Sequence, residues 1–160
     1  MIENIENIII EILENVPPKP FLCLQMSSLL YVKLEDNLKL NPKVITGNLY
    51  FNRECIFKQD YSINDKINCS ENLILDNWTG HCWVELDNTI IDLSIFRTIY
   101  SSLFYKSCKT EIINKFGNGR GCLILKKDNE NTGFEYEKID ILDNNIINGI
   151  LQGAQIICTQ

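Results

Sequence analysis

Two short apolar runs, residues 79–86 and 89–93, are separated only by Asp87-Asn88. Both of these residues tolerate a positive φ, so the pair is typical of a two-residue loop between antiparallel strands. We therefore predict a hairpin in which the two residues that flank the turn are paired with each other. Because such a short loop fixes the register of both strands, this hairpin constrains the fold more than any other feature of the chain.

The hairpin register places one imidazole and one carboxylate on the same face of the sheet. Counting back from the turn, Trp83 faces Asp92 and His81 faces Ser94. Side chains alternate along a strand, so His81, Trp83 and Asp92 share a face. His81 and Asp92 are diagonal neighbours there, with Cβ atoms about 7 Å apart or less, which is within reach of a hydrogen bond. Asp92 lies in an apolar strand and needs a partner, because burying a lone carboxylate is costly.

His81 is the only histidine of the chain. Any reaction that needs an imidazole base near neutral pH must therefore use it. A lone histidine is most often structural, and the predicted pairing with Asp92 is what favours a chemical role. A histidine oriented by an aspartate usually activates a serine or cysteine nucleophile.

Cys23 is the thiol that we predict as the nucleophile. Three prolines between positions 17 and 20 end a first helix, and an apolar run follows from residue 21 to about residue 35. A helix that is apolar on nearly all sides is a buried one. Cys23 would lie in its first turn, where the helix N-terminus favours the thiolate. On its own such a cysteine is more often a small core residue; the His81–Asp92 pair favours function.

The other six cysteines are assigned no chemical role. Strand alternation turns Cys82 away from His81, so we predict that it lies in the core. The sequence patterns predict Cys55, Cys122 and Cys158 in the core, and Cys69 and Cys108 at the surface. No Cys-x-x-Cys pair occurs in the sequence, so we expect neither a structural zinc ion nor any other metal.

The remaining patterns predict a single α+β domain spanning residues 1–160. Helices are predicted at residues 2–16, 21–35, 95–105, 109–116 and 143–157, and strands at residues 44–51, 54–59, 79–86, 89–93, 121–126 and 134–141, with a polar loop at residues 60–77. The first two central strands should turn at Asn52-Arg53.

Charge and the N-terminal segment exclude some classes of protein. The net charge is −6 and no basic cluster stands out, so a nucleic acid is not an expected partner. Residues 1–6 are acidic where a signal peptide would be basic, and no apolar run approaches the length of a membrane span. We expect a protein of the reducing cytoplasm with free thiols and no membrane contact. The oligomeric state is left open.

Three segments together resemble the transglutaminase-like branch of the papain-like cysteine enzymes. Gly80-His81-Cys82-Trp83-Val84-Glu85-Leu86 and, after the turn, Thr89-Ile90-Ile91-Asp92-Leu93-Ser94 resemble that family's histidine and aspartate strands. Cys23-Leu24-Gln25-Met26-Ser27-Ser28-Leu29-Leu30 resembles its cysteine helix, and residues 44–47 resemble the strand after it. The resemblance covers about residues 20–95 and implies a cysteine at the start of a buried helix packed on an antiparallel sheet.

The resemblance implies a cysteine-dependent amide or acyl enzyme acting on a peptide or protein amide without a cofactor. Cys23 would be the nucleophile, His81 the general base and acid, and Asp92 the residue that orients the imidazole. Peptide or amide hydrolysis, deamidation and acyl transfer, each through a thioester, all fit this implication. Leu24 stands where transglutaminases commonly carry a tryptophan, which argues against cross-linking activity.

Such a reaction needs donors for a developing oxyanion. The backbone N–H of Cys23 is one candidate, and the side chains of Gln25, Asn77 and Trp78 are others. Two alternatives stay open at this point. One is a non-catalytic binding module that keeps the fold and a vestigial triad; the other is a structural protein in which His81 and Asp92 pair without Cys23 nearby.

Overall fold

The computed structural model describes residues 2–66, 78–128 and 131–158, and for residues 66 and 155–158 it describes the backbone alone. The helices are α1 (Ile2–Asn15), α2 (Cys23–Leu38), α3 (Ile63–Lys66), α4 (Ile95–Tyr100), α5 (Lys109–Phe116) and α6 (Asn144–Cys158). The strands are β1 (Lys43–Phe51), β2 (Glu54–Phe57), β3 (His81–Leu86), β4 (Thr89–Asp92), β5 (Leu123–Lys126) and β6 (Phe134–Ile141). The predicted α+β class is confirmed.

The strands form one antiparallel sheet in the order β2-β1-β3-β4-β5, and β6 also pairs with β1. The first half of β1 pairs with β3 and its second half pairs with β2. Helix α2 packs against β3, α1 and α6, so it is the central helix of the domain. Its buried side chains include Met26, Leu30 and Leu34, which lie against apolar residues of α1, β3 and β4.

The predicted register of the β3–β4 hairpin is confirmed. Leu86 pairs with Thr89 and Val84 pairs with Ile91, and Asp87 takes the positive φ of 51° that the tight turn requires. The second predicted hairpin is confirmed as well, since Asn52 and Arg53 have φ values of 46° and 70° between β1 and β2.

Gly47 lets β6 approach β1 beside the histidine. It pairs with His81 across β1 and β3, and the pairing of β1 with β6 shifts register at this residue. A Cβ atom at Gly47 would lie 2.0 Å from the backbone oxygen of Glu137. Only a glycine fits such a close approach, so the local backbone around His81 depends on this residue.

Several predicted boundaries are corrected by the structure. Helix α2 begins at Cys23 rather than at residue 21, because Phe21 has a φ of 62°, outside the helical region. Helix α4 ends at Tyr100 rather than at residue 105, because Ser101 is extended. Within the predicted loop 60–77, residues 63–66 form α3, and residues 67–77 lie outside the described part of the chain.

No helix in the described part of the chain is both long and apolar enough to cross a membrane.

Candidate active site

A histidine and an aspartate form a buried pair at the centre of the domain. His81 Nε2 lies 2.6 Å from Asp92 Oδ2, and the two side chains are 1% and 0% exposed. His81 is the first residue of β3 and Asp92 is the last residue of β4. The diagonal pairing that the hairpin register predicts is therefore the contact that the structure contains.

Asp92 is held by more donors than the sequence predicts. Its Oδ2 also accepts a hydrogen bond from the Tyr136 hydroxyl at 2.8 Å. Its Oδ1 accepts from the backbone N–H groups of Ser94 and Ile95 at 3.0 and 3.1 Å and from the Ser94 hydroxyl at 3.2 Å. These bonds satisfy the buried carboxylate and begin α4, which is why β4 ends at Asp92.

Tyr136 is a site residue that sequence analysis missed. It lies on β6, and its ring packs edge-on against Trp83 at 5.0 Å between centroids. Burial and the charge of Asp92 raise the pKa of Tyr136 well above its usual range, so the hydroxyl keeps its proton and donates. No spacing in the sequence connects residues 92 and 136, because only the sheet order brings them together.

The pKa values of His81 and Asp92 are shifted in opposite directions. Burial by itself lowers the pKa of His81, but the Asp92 carboxylate and then Cys23 outweigh it and raise the pKa of His81 to about 10. Burial likewise opposes ionisation of Asp92, yet the His81 charge and the hydrogen bonds from His81, Tyr136 and Ser94 lower the pKa of Asp92. Hence the pair is an imidazolium and a carboxylate near neutral pH.

Cys23 is the first residue of α2 and is 7% exposed. It lines the same cleft as His81, and after Asp92 it is the second residue that raises the pKa of that histidine. Because Nε2 is bonded to Asp92, Nδ1 is the ring nitrogen that a further group can engage. The first hydrogen bond of the helix runs from the N–H of Met26 to the oxygen of Leu22, so the N–H of Cys23 has no acceptor within the helix.

A cleft of about 470 Å³ opens beside Cys23 and His81. The His81 ring is stacked on the Phe57 ring, with centroids 5.0 Å apart and an interplanar angle of 12°. The ring of Trp83 is a second aromatic neighbour of His81, with a centroid distance of 6.3 Å. Phe57 lines the cleft, whereas Trp83 is fully buried. Aromatic packing therefore fixes the orientation of the imidazole and leaves one side of it at the cleft.

The candidate oxyanion donors differ in their surroundings. Gln25 lines the cleft, and its Oε1 is buried with no hydrogen-bond partner among the described residues. Trp78 lines the cleft too, but its Nε1 donates to the backbone oxygen of Tyr61 at 3.3 Å. Asn77 lies outside the described residues. The backbone N–H of Cys23 and the side chain of Gln25 thus remain candidates; the unpaired atom of Gln25 is an acceptor, and its NH₂ group is the one that would donate.

The remaining cysteines are placed partly as predicted. Cys82 is fully buried, as strand alternation predicts. Burial and then the nearby Cys23 raise the pKa of the Cys82 thiol well above its usual range. Cys108 is buried rather than exposed, and Cys55 and Cys122 are half-buried rather than in the core, so these three predictions are wrong. Cys69 and the side chain of Cys158 lie outside the described part.

Among residues 2–66, 78–128 and 131–158, no three histidine, cysteine, aspartate or glutamate side chains are grouped so as to hold a metal ion.

The fold and site together define an α+β domain in which the first residue of a central helix and a buried histidine–aspartate pair lie at one cleft. Comparison of the chain with protein-family models, with curated proteins and with solved structures finds no match in any of the three.

Proposed function

We propose that this chain is a cysteine-dependent amide or acyl enzyme of the papain and transglutaminase kind, with Cys23 as nucleophile. The observation that supports the proposal is the buried His81–Asp92 pair beside a cleft that Cys23 also lines. We infer that Nδ1 of His81 faces the sulfur of Cys23 while Nε2 holds Asp92. In cysteine enzymes this order of groups activates the sulfur.

The reaction proceeds in two balanced stages. The sulfur of Cys23 attacks the carbonyl carbon of a peptide or protein amide, and the proton held by His81 goes to the leaving amine as the C–N bond breaks. A thioester on Cys23 remains. Water or an amine then attacks the thioester and His81 takes up its proton. The acid or the new amide is released, and the Cys23 thiolate and His81 imidazolium are restored.

Two further groups support the reaction. The N–H of Cys23 and the side-chain amide of Gln25, which lines the cleft, would donate to an oxyanion on the attacked carbonyl. Asp92 stabilises the imidazolium and fixes its orientation without itself accepting the proton. We place this chemistry in the reducing cytoplasm, where the thiol of Cys23 stays free.

The test measures the alkylation of each cysteine by iodoacetamide at about pH 6, read by peptide mapping, for the wild type and for His81→Gln. A nucleophilic Cys23 paired with an imidazolium reacts faster than an ordinary thiol at this pH, and His81→Gln should slow it by on the order of tenfold or more. Preferential labelling of another cysteine in the wild type, or an unchanged rate in His81→Gln, overturns the proposal.

Catalysis itself is tested on a mixture of synthetic peptides, with Cys23→Ala as the matched control. Mass spectrometry separates new amino termini from deamidated glutamine and from acyl exchange. A peptide changed by the wild type but not by Cys23→Ala identifies the reaction. A reactive Cys23 that changes no peptide favours the alternative of a binding module with a vestigial triad.

A further inference from the structure

The cleft beside Cys23 combines aromatic walls with positive charge. Its lining includes the aromatic side chains of Phe21, Phe57 and Trp78 and the two lysines Lys58 and Lys106. None of the described residues that line it is an aspartate or a glutamate. A cleft of this kind favours a ligand with an apolar group and a negative charge.

Phe21 is an exposed aromatic residue held in an unusual backbone conformation. Its side chain is 51% exposed and its φ is 62°, a value that a bulky residue rarely adopts. Its N–H donates to the hydroxyl of the buried Thr98 at 3.1 Å, which fixes this conformation two residues before Cys23. The strained backbone of Phe21 lies beside the proposed nucleophile, and its large apolar ring is open to solvent. Together these features indicate a surface that a ligand covers.

Trp78 forms a rigid wall on the same cleft. Its Nε1 is bonded to the backbone of Tyr61, and its ring lies against Gly80. A Cβ atom at Gly80 would lie 2.3 Å from Cζ2 of Trp78, so the glycine leaves the space that the indole occupies. The ring is therefore preorganised and offers an apolar face without a free donor.

The two lysines give the cleft a local charge opposite to that of the chain, whose net charge is −6. Among the described residues neither lysine forms an ion pair. Three carboxylates lie near the cleft without lining it. Glu54 accepts from Ser107, and Asp60 accepts from the N–H of Thr79. Hydrogen bonds from Asn48 and Tyr50, and then the charge of Lys58, lower the pKa of Glu137. Because the His81 charge is balanced by Asp92, the two lysines are the groups by which the cleft attracts a carboxylate.

We propose, resting on the function proposed above, that the substrate is an acidic peptide or protein segment. It carries a large apolar side chain beside the reacting carbonyl, packed against Phe21 and Trp78, and a carboxylate held by Lys58 and Lys106. Charge complementarity selects this class over neutral and basic peptides, and the aromatic walls select its apolar residue.

The charge component is tested with two small alkylating reagents on the full chain. In each case the sulfur of Cys23 displaces iodide and forms an S–CH₂ bond, but iodoacetate is an anion and iodoacetamide is neutral. The ratio of the two rates at Cys23 measures the attraction of the cleft for a negative charge. The variants are Lys58→Gln, Lys106→Gln and the double variant, with Lys138→Gln, which lies outside this cleft, as the control.

Each lysine removed should lower the iodoacetate-to-iodoacetamide ratio about twofold, as expected for a unit charge about 8 Å away in water. The iodoacetamide rate and the control ratio should stay unchanged. An unchanged ratio in the double variant overturns the substrate class and leaves the proposed function standing. A Cys23 that reacts with neither reagent ends both proposals.

The apolar component is tested with acetyl-phenylalanyl and acetyl-alanyl chloromethyl ketones, from which the sulfur of Cys23 displaces chloride. The wild type should react faster with the phenylalanyl reagent, and Phe21→Ala should reduce that preference at least about threefold. Leu103→Ala, which removes an exposed apolar side chain outside the cleft, is the control. Equal preference in the wild type and Phe21→Ala overturns the role of Phe21.

Discussion

The Tyr136 hydroxyl donates a hydrogen bond of 2.8 Å to Asp92 Oδ2, the same oxygen that lies 2.6 Å from His81 Nε2. One carboxylate oxygen thus links the strand that carries the histidine to a strand near the end of the chain. The tyrosine stabilises Asp92 as an anion and holds it against the imidazole, so we assign Tyr136 a positioning role.

We predict that Tyr136→Phe lowers the free energy of unfolding by about 1–3 kcal/mol, because a buried charged group loses one hydrogen bond. Urea denaturation at neutral pH measures it. Tyr50→Phe is the matched control, since the Tyr50 hydroxyl donates to the exposed Glu137, and it should cost much less. Equal losses in the two variants would contradict the positioning role of Tyr136.

Asp92→Asn should lower the His81 pKa from about 10 to 6.5 or below, because the burial that opposes protonation remains while the charge that favours it is removed. His81 is the sole histidine, so one imidazole NMR signal reports the titration. We expect that signal to stay constant between about pH 5 and 8 in the wild type.

The matched control for Asp92→Asn is Glu85→Gln. Glu85 accepts hydrogen bonds from Lys127 and Trp83 and not from His81. The His81 pKa should therefore stay high in Glu85→Gln. A titration near pH 6 in Glu85→Gln, with none in Asp92→Asn, would show that the electrostatic partner has been wrongly assigned.

The stability of the fold should depend on pH in a way set by the same pair. Folding raises the pKa of His81 from 6.5 to about 10. The contribution of His81 to the free energy of unfolding is therefore complete below pH 6.5 and is lost as the pH rises toward 10. Folding lowers the pKa of Asp92 from 3.8, so its contribution is present above that pH and is lost in acid.

We therefore expect the difference in unfolding free energy between the wild type and His81→Gln to be largest between about pH 4 and 6.5. It should shrink steadily from about pH 7 to 9.5. Urea denaturation of both proteins over this range tests it. A difference that grows with rising pH would show that His81 is buried in its neutral form.

Cys82→Ala should leave the iodoacetamide rate of Cys23 unchanged and lower the free energy of unfolding by about 1–2 kcal/mol, through a small cavity in the core. Cys82 is fully buried and its pKa is raised, so it should stay unlabelled in the folded wild type. A folded Cys82→Ala protein with an unreactive Cys23 would mean that Cys82 takes part in the chemistry.

Gly80→Ala should displace the Trp78 ring and change the intrinsic tryptophan fluorescence, because the new methyl group overlaps the indole. It should also slow alkylation of Cys23 by the phenylalanyl chloromethyl ketone. Gly119→Ala is the control, since a Cβ atom there meets nothing within 4 Å. Identical spectra for the two variants would show that the Trp78 wall is not rigid.

Local patterns were sufficient for the parts of the site that lie within a short stretch of chain. The tight turn at Asp87-Asn88 fixes which residues of β3 and β4 face each other, so the contact between His81 and Asp92 followed from counting. The apolar run after the prolines likewise predicted a buried helix with Cys23 in its first turn.

Contacts between distant segments were decided only by the tertiary structure. The sheet order places Tyr136 on Asp92 and Phe57 on His81, and no periodicity in the sequence encodes either contact. The burial of Cys108 escaped prediction because its immediate neighbours in sequence are polar, whereas the structure places it in a core cluster with residues of β1, β2, α4, β5 and β6. Secondary structure and register depend on interactions between near neighbours, whereas a cleft and its charge depend on which elements the whole core brings together.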